Sequence, residues 1–140
     1  VLHDHFDLAA HFALRGLHLN RRNSVLPPNH KGTVSQSCHT LDEVKACKTK
    51  CDYVFLSPVF NSISKQGYTS AFTPKALSEA KKQGVINQKV VALGGITAAN
   101  IDKTKYYGFG GVALLGDIWS RTADKNFEQY VRKIIEICHT

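Results

Sequence analysis

Between Asp52 and Tyr68 the chain reads Asp-Tyr-Val-Phe-Leu-Ser-Pro-Val-Phe-Asn-Ser-Ile-Ser-Lys-Gln-Gly-Tyr. The second half of this stretch sets two hydroxyls and an ammonium, Ser62, Ser64 and Lys65, close together, with Gly67 beyond them to let the backbone turn. Hydroxyls, backbone amides and a lysine are all donors, and donors gathered just after a strand suit phosphate oxygens. By composition alone the same residues make an ordinary polar surface loop. Two further donor-rich points stand directly after apolar runs, Gly94-Gly95 and Gly116, where bare backbone amides can approach an anion.

These groups need elements to hold them. Val1 to His3 reads as the end of a strand, and Asp4 as the cap of a helix over about His5 to Leu14 with Phe6, Ala9, Ala10, Ala13 and Leu14 on one side. Gly16 to Leu19 and Thr33 to Ser37 are short strands, separated by a loop that holds Pro27-Pro28. Thr40 with Glu43 three residues on is a capping box and opens a helix through Lys50. Tyr53 to Leu56, apolar and β-branched or aromatic, reads as a strand buried on both faces. Thr73-Pro74 starts a helix that Gly84 stops. Lys89 to Leu93 is a fifth strand, Thr97 caps a helix of about Ala98 to Tyr107, and Val112 to Leu115 is a sixth strand. A final helix, about Asp124 to Cys138, carries Phe127, Tyr130, Val131, Ile134 and Ile135 at core spacing.

Strand alternating with helix leaves two architectures, an open doubly wound sheet or a (β/α)8 barrel. The open nucleotide-binding sheet requires Gly-x-Gly-x-x-Gly after its first strand, and Asp4-His5-Phe6 stands there instead. Glycines after the last two strands fit the phosphate site that barrels build from their final loops. The expectation is a single domain over residues 1–140 comprising the C-terminal six βα units of a barrel, with the first two βα units absent from the sequence.

Bulk properties narrow the function. A hydrophobic fraction of 43% and a charged fraction of 21% over 140 residues are those of one globular domain. No apolar run reaches the roughly 18 residues of a membrane span, and Val1 to Asp4 does not resemble a leader peptide. A cytoplasmic protein with no membrane partner is expected. The net charge of +7 favours anions, but the basic residues are scattered and lack stacking aromatics, so no nucleic-acid partner is expected. Arg21-Arg22 is read as a pair facing water. The cysteines, Cys38, Cys47, Cys51 and Cys138, contain no Cys-x-x-Cys pair and read as reduced thiols.

In order and spacing, several segments together are similar to the thiamine phosphate synthase family and its close relatives the thiazole tautomerases. They are Leu2-His3-Asp4-His5, Gly16-Leu17-His18-Leu19, Ser37-Cys38-His39-Thr40 with Glu43, Asp52 to Phe60, Ser62-Ile63-Ser64-Lys65, Val91 to Thr97, and Gly111-Val112-Ala113. The resemblance covers nearly the whole chain and implies a TIM barrel, entered at its third strand. It further implies that a pyrimidine methyl pyrophosphate ionises with the help of Mg2+, and that the nitrogen of a thiazole phosphate attacks the cation. By position, Asp4 would bind magnesium, Lys65 would meet the pyrophosphate, and Ser37 would touch the pyrophosphate or the pyrimidine. Ser62 and Ser64 would hold the thiazole phosphate or carboxylate, with Gly94 and Gly95 offering amides to the phosphate. The partners so implied are phosphorylated pyrimidine and thiazole small molecules, and a homo-oligomer is compatible with the sequence.

The sequence departs from the family at several of these points. Asn23 stands where a second magnesium-binding Asp is expected, His3 where an Asn precedes the first Asp, and Gly116 where a Ser follows the last strand. Losing a hard anionic oxygen at Asn23 should weaken magnesium binding. The tautomerase, which moves protons on a thiazole carboxylate phosphate without magnesium, is therefore the alternative, with His39 as its acid/base. A non-catalytic thiamine-phosphate binding protein is a third reading. The synthase is preferred because Asp4 and Lys65 are both present.

Overall fold

The computed structural model describes residues 1–61 and 72–140. Its elements follow one another as α1 (Asp7–His11), β1 (Gly16–Leu19), β2 (Thr33–Cys38), α2 (Leu41–Cys47), β3 (Tyr53–Leu56), α3 (Pro74–Lys82), β4 (Val90–Leu93), α4 (Ile101–Tyr106), β5 (Gly111–Ala113), α5 (Gly116–Trp119) and α6 (Phe127–His139). The strands form one five-stranded sheet in the order β1-β2-β3-β4-β5, every neighbouring pair parallel. Chain order and sheet order coincide, so each crossover carries the chain one strand along. Every strand thus ends at the same edge of the sheet, and the loops after the strands share one rim.

Register decides which side chains share a face. Ser35 pairs with Tyr53, Ser37 with Phe55, and Phe55 with Val91, while Val54 pairs with Val90 and Leu56 with Ala92. Val54, Leu56, Val90 and Ala92, all fully buried, meet Val44 of α2, Leu77 and Ala80 of α3, Ile101 of α4 and Ile134 of α6 in one core. On the opposite face Tyr53, Phe55, Val91 and Leu93 are only half buried. The expectation that Tyr53 to Leu56 is buried on both faces is corrected here. Among the described residues the helix side chains of the core meet one face of the sheet, so burial alternates along β3.

Local chemistry sets the helix starts. The Thr40 hydroxyl accepts from Glu43 N, and the Thr73 hydroxyl accepts from Ala76 N with Pro74 at the first turn. Elsewhere the sequence reading shifts. The last strand begins one residue early, at Gly111, and six expected strands become five, because Leu2 makes only an isolated parallel bridge to Leu17. Asp4 does not cap α1: its Oδ1 accepts from His5 N and from Asn23 Nδ2, and the helix starts after Phe6 without a side-chain cap. α1 also stops short of Leu14, with Ala13 at φ 49°. Thr97 caps nothing either. Its N–H donates to Asn100 Oδ1, and α4 begins after Asn100. Near the end of the chain the buried Asp117 of α5 accepts from the Tyr130 hydroxyl and from Arg121 Nε, fastening α5 to α6.

Candidate functional site

Where β1 and β2 end, the carboxyl rim of the sheet opens into a cleft of about 360 Å³ lined by His3, His18, Asn20, Arg21, Arg22, Ser37 and His39. Parallel pairing of β1 with β2 brings His18 and Ser37 together although they lie 19 residues apart. None of the lining residues is acidic and two are guanidinium groups, so the cleft attracts anions. Arg21 and Arg22 are exposed, as expected, but the turn that holds them directs them to this cleft as well: Asn20 Oδ1 accepts from Arg22 N and Asn23 N.

His39 is held in one orientation. Its Nδ1 lies 2.9 Å from the Ser57 carbonyl, which can only accept, so Nδ1 carries the proton and Nε2 is left as the basic nitrogen. Its own backbone N–H donates to Glu43 Oε2, tying the residue to the first turn of α2. Glu43 therefore answers His39 rather than Thr40, a shifted form of the capping box.

Asp4 sits beside the cleft, fully exposed, with its carboxylate held below the usual range first by the His5 N–H and then by the Asn23 amide. Asn23 Nδ2 donates to that carboxylate at 3.1 Å and to the His3 carbonyl at 3.2 Å. Asn23 thus serves Asp4 as a donor. Among the described residues no group of three or more His, Cys, Asp or Glu side chains converges to hold a metal ion.

A second cleft, of about 460 Å³, opens where β3 and β4 end, lined among others by Phe60, Asn61, Phe72, Gly95, Thr97 and Lys103. Gly94 and Gly95 have φ of 88° and 68°, and a Cβ on Gly95 would lie 2.4 Å from the Asn61 carbonyl oxygen. Two glycines stand here because the backbone of residues 58–61 runs directly over them; Phe60 N donates to Gly94 O and Asn100 Nδ2 to Gly95 O. Ser62, Ser64 and Lys65 lie outside the described residues. Gly116 opens the four-residue α5 and lines neither of these clefts.

Sequence reasoning did not single out His18 or Asn20. Two signals were present: a histidine inside an otherwise apolar strand, and serines at alternate positions of the next one, Ser35 and Ser37.

Comparison with known proteins gives a concordant result. A family model described as thiamine monophosphate synthase matches residues 1–118. The thiamine-phosphate synthase of Latilactobacillus sakei subsp. sakei (strain 23K) is 29% identical over 140 residues, an alignment that covers 94% of this chain and 60% of that protein. A solved thiamine phosphate pyrophosphorylase from Bacteroides thetaiotaomicron superposes with a TM-score of 0.82 at 40% identity, covering 96% of this chain and 67% of that one. One from Pyrococcus furiosus gives 0.70 at 21% identity, covering 96% of this chain and 65% of that one, a likeness of fold. The chain thus spans about 60% of the length of the Latilactobacillus relative.

Proposed function

Because the chain belongs to the thiamine monophosphate synthase family, we propose that the protein joins a pyrimidine methyl pyrophosphate to a thiazole phosphate and releases pyrophosphate. The five parallel strands are then an arc of a (β/α)8 barrel, and the half-buried face with Tyr53, Phe55 and Val91 is the barrel's inner face. The observation that carries the reading is the cleft at the strand ends, where Ser37, His39 and two arginines meet with no acidic residue in the lining.

In this reaction the bond between the pyrimidine methylene carbon and the pyrophosphate oxygen breaks, the electron pair leaves with pyrophosphate, and the thiazole nitrogen supplies a new pair to the methylene carbon. Charge develops on the departing oxygens, so fixed cations and donors there lower the barrier. Arg21 and Arg22 supply cationic forks and Ser37 a hydroxyl, and Lys65 adds an ammonium. Ser62, Ser64 and the amides of Gly94 and Gly95 serve the thiazole phosphate. Asp4 would be the protein's oxygen ligand for Mg2+, which would supply positive charge against the leaving group. Asn23, a neutral amide whose Nδ2 faces Asp4, adds no anionic oxygen, so the two arginines carry more of the charge compensation. A cytoplasmic setting belongs to the same reading, and the free state of Cys38, Cys47, Cys51 and Cys138 agrees with it. No described helix is long and apolar enough to cross a membrane.

One observation favours a second reading. The free Nε2 of His39 is poised to move a proton, as a thiazole tautomerase requires. The intact protein with pyrimidine pyrophosphate, thiazole phosphate and magnesium should release pyrophosphate, and Arg22→Ala should slow that release by about tenfold to a hundredfold, as loss of a charged hydrogen bond does. Isomerisation of a thiazole carboxylate phosphate with no pyrophosphate released would assign the protein to the tautomerases. Tight binding of thiamine phosphate with no turnover of either kind would make it a binding protein.

A further inference from the structure

Ser35 and Ser37, at alternate positions of β2, put both hydroxyls on the face that His18 of β1 occupies. His18 Nδ1 lies 2.9 Å from Ser35 Oγ, and His18 Nε2 lies 2.8 Å from Ser37 Oγ. The location of the ring proton therefore decides what Ser37 can offer a ligand. The imidazole is 3% exposed, and burial, helped by the charge on His3, holds its pKa down to about 4. It is neutral near pH 7, with one donor nitrogen and one acceptor nitrogen.

Ser35 settles which is which. Its side chain is 1% exposed, so its hydroxyl proton must find an acceptor inside the protein. Two are within reach, His18 Nδ1 at 2.9 Å and the Leu17 carbonyl at 3.5 Å. A hydroxyl bond is strong near 2.7 to 2.8 Å and weak at about 3.5 Å, so Nδ1 takes the proton's bond. Nε2 then carries the ring hydrogen and donates it to Ser37 Oγ. The hydrogen of Ser37 has to point away from the imidazole, and Ser37, half buried, lines the cleft with Arg21, Arg22 and His39.

We propose that His18 is a positioning residue: as the Nε2–H tautomer it turns the Ser37 hydroxyl outward as a committed donor to an anionic oxygen, such as one of pyrophosphate. The chain Ser35, His18, Ser37, ligand is head to tail, so each bond polarises the next. This rests on the anion-binding reading of the cleft, and it assigns Ser37 to the pyrophosphate rather than to a donor group on the pyrimidine ring.

Two measurements on the intact protein test it. A two-bond proton–nitrogen correlation spectrum of histidine-labelled protein at pH 7, with His18 assigned by its loss in His18→Gln, should show the Nε2–H pattern without any ligand. An Nδ1–H or doubly protonated ring overturns the role of His18. Calorimetry with inorganic pyrophosphate should show Ser37→Ala and His18→Asn each weakening binding by about tenfold. The double variant should be no weaker than either single one, because both remove the same bond. His18→Gln, whose amide nitrogen reaches the place of Nε2, should recover most of the affinity. Additive losses, or equal losses in His18→Gln and His18→Asn, overturn the proposal. If the parent protein does not bind pyrophosphate, the functional reading fails and takes the donor role of Ser37 with it; a wrong tautomer alongside intact binding removes only the role of His18.

Discussion

At the scale of single residues, the site is a set of groups whose protons and charges are fixed by their neighbours. His18 must be neutral to fold as it does, and that has a consequence for stability. Its pKa is about 4 in the folded protein against an ordinary 6.5 when unfolded, so between those values the unfolded chain binds more protons. Stability is accordingly full above about pH 6.5 and lost as pH falls toward 4, by up to about 3 kcal/mol from this residue. His3, stacked at 4.4 Å, is part of what holds this pKa down, and Arg21, Arg22 and His39 face the same cleft. Asp4, already held low, titrates below this window. Denaturant unfolding at pH 7, 5.5 and 4 should show the decline, and His18→Gln should flatten it; an equal slope in the variant would contradict the assignment. Asn23 offers a second test. Asn23→Asp removes a donor from Asp4 and adds a hard anionic oxygen beside it, so magnesium should bind roughly tenfold tighter, the effect of about 1.4 kcal/mol. Unchanged magnesium affinity would show that Asp4 and Asn23 do not face the metal. His18 was hard to read from sequence because its meaning depends on two hydroxyls 17 and 19 residues away, brought to it only by strand register.

Elements were legible where their signals are local. Thr40 with Glu43 and Thr73-Pro74 announce helices within a few residues, and both threonine hydroxyls accept the bonds expected of caps. Thr40→Ala and Thr73→Ala should each cost about 1 kcal/mol in thermal or chemical unfolding. Asp4 and Thr97 were read as caps by the same logic, yet each found a different partner, Asp4 in His5 N and Asn23 and Thr97 in Asn100, the more distant of which local spacing does not reveal. The glycines separate in the same way. Gly84 and Gly95 both have positive φ, 67° and 68°, but a Cβ on Gly84 meets nothing within 4 Å, whereas on Gly95 it meets the backbone of Phe60 and Asn61 at 2.7 and 2.4 Å. Gly84→Ala should cost about 1 to 2 kcal/mol of backbone strain. Gly95→Ala should cost clearly more, and equal losses would mean that the loop over Gly95 yields easily.

Across the whole molecule, the alternation of strand and helix gave the parallel α/β class, while the sequential strand order, which an open doubly wound sheet would not have, comes from the structure. What it did not give was the asymmetry of the sheet. A strand such as Tyr53 to Leu56 reads as apolar throughout, and only the structure separates Val54 and Leu56, sealed by helices, from Tyr53 and Phe55, half buried on the other face. The parallel order places every strand end on one rim, and it is there that Ser37 stands near the end of β2 and that His39, Gly94 and Gly95 follow their strands. The account stands on that rim as the place where phosphorylated substrates are held. Crystals of the intact protein soaked with inorganic pyrophosphate test this most directly. Density for the anion within hydrogen-bond distance of Ser37 Oγ and an Arg21 or Arg22 guanidinium is the expected result; pyrophosphate bound only at the opposite, amino-terminal end of the strands would contradict it.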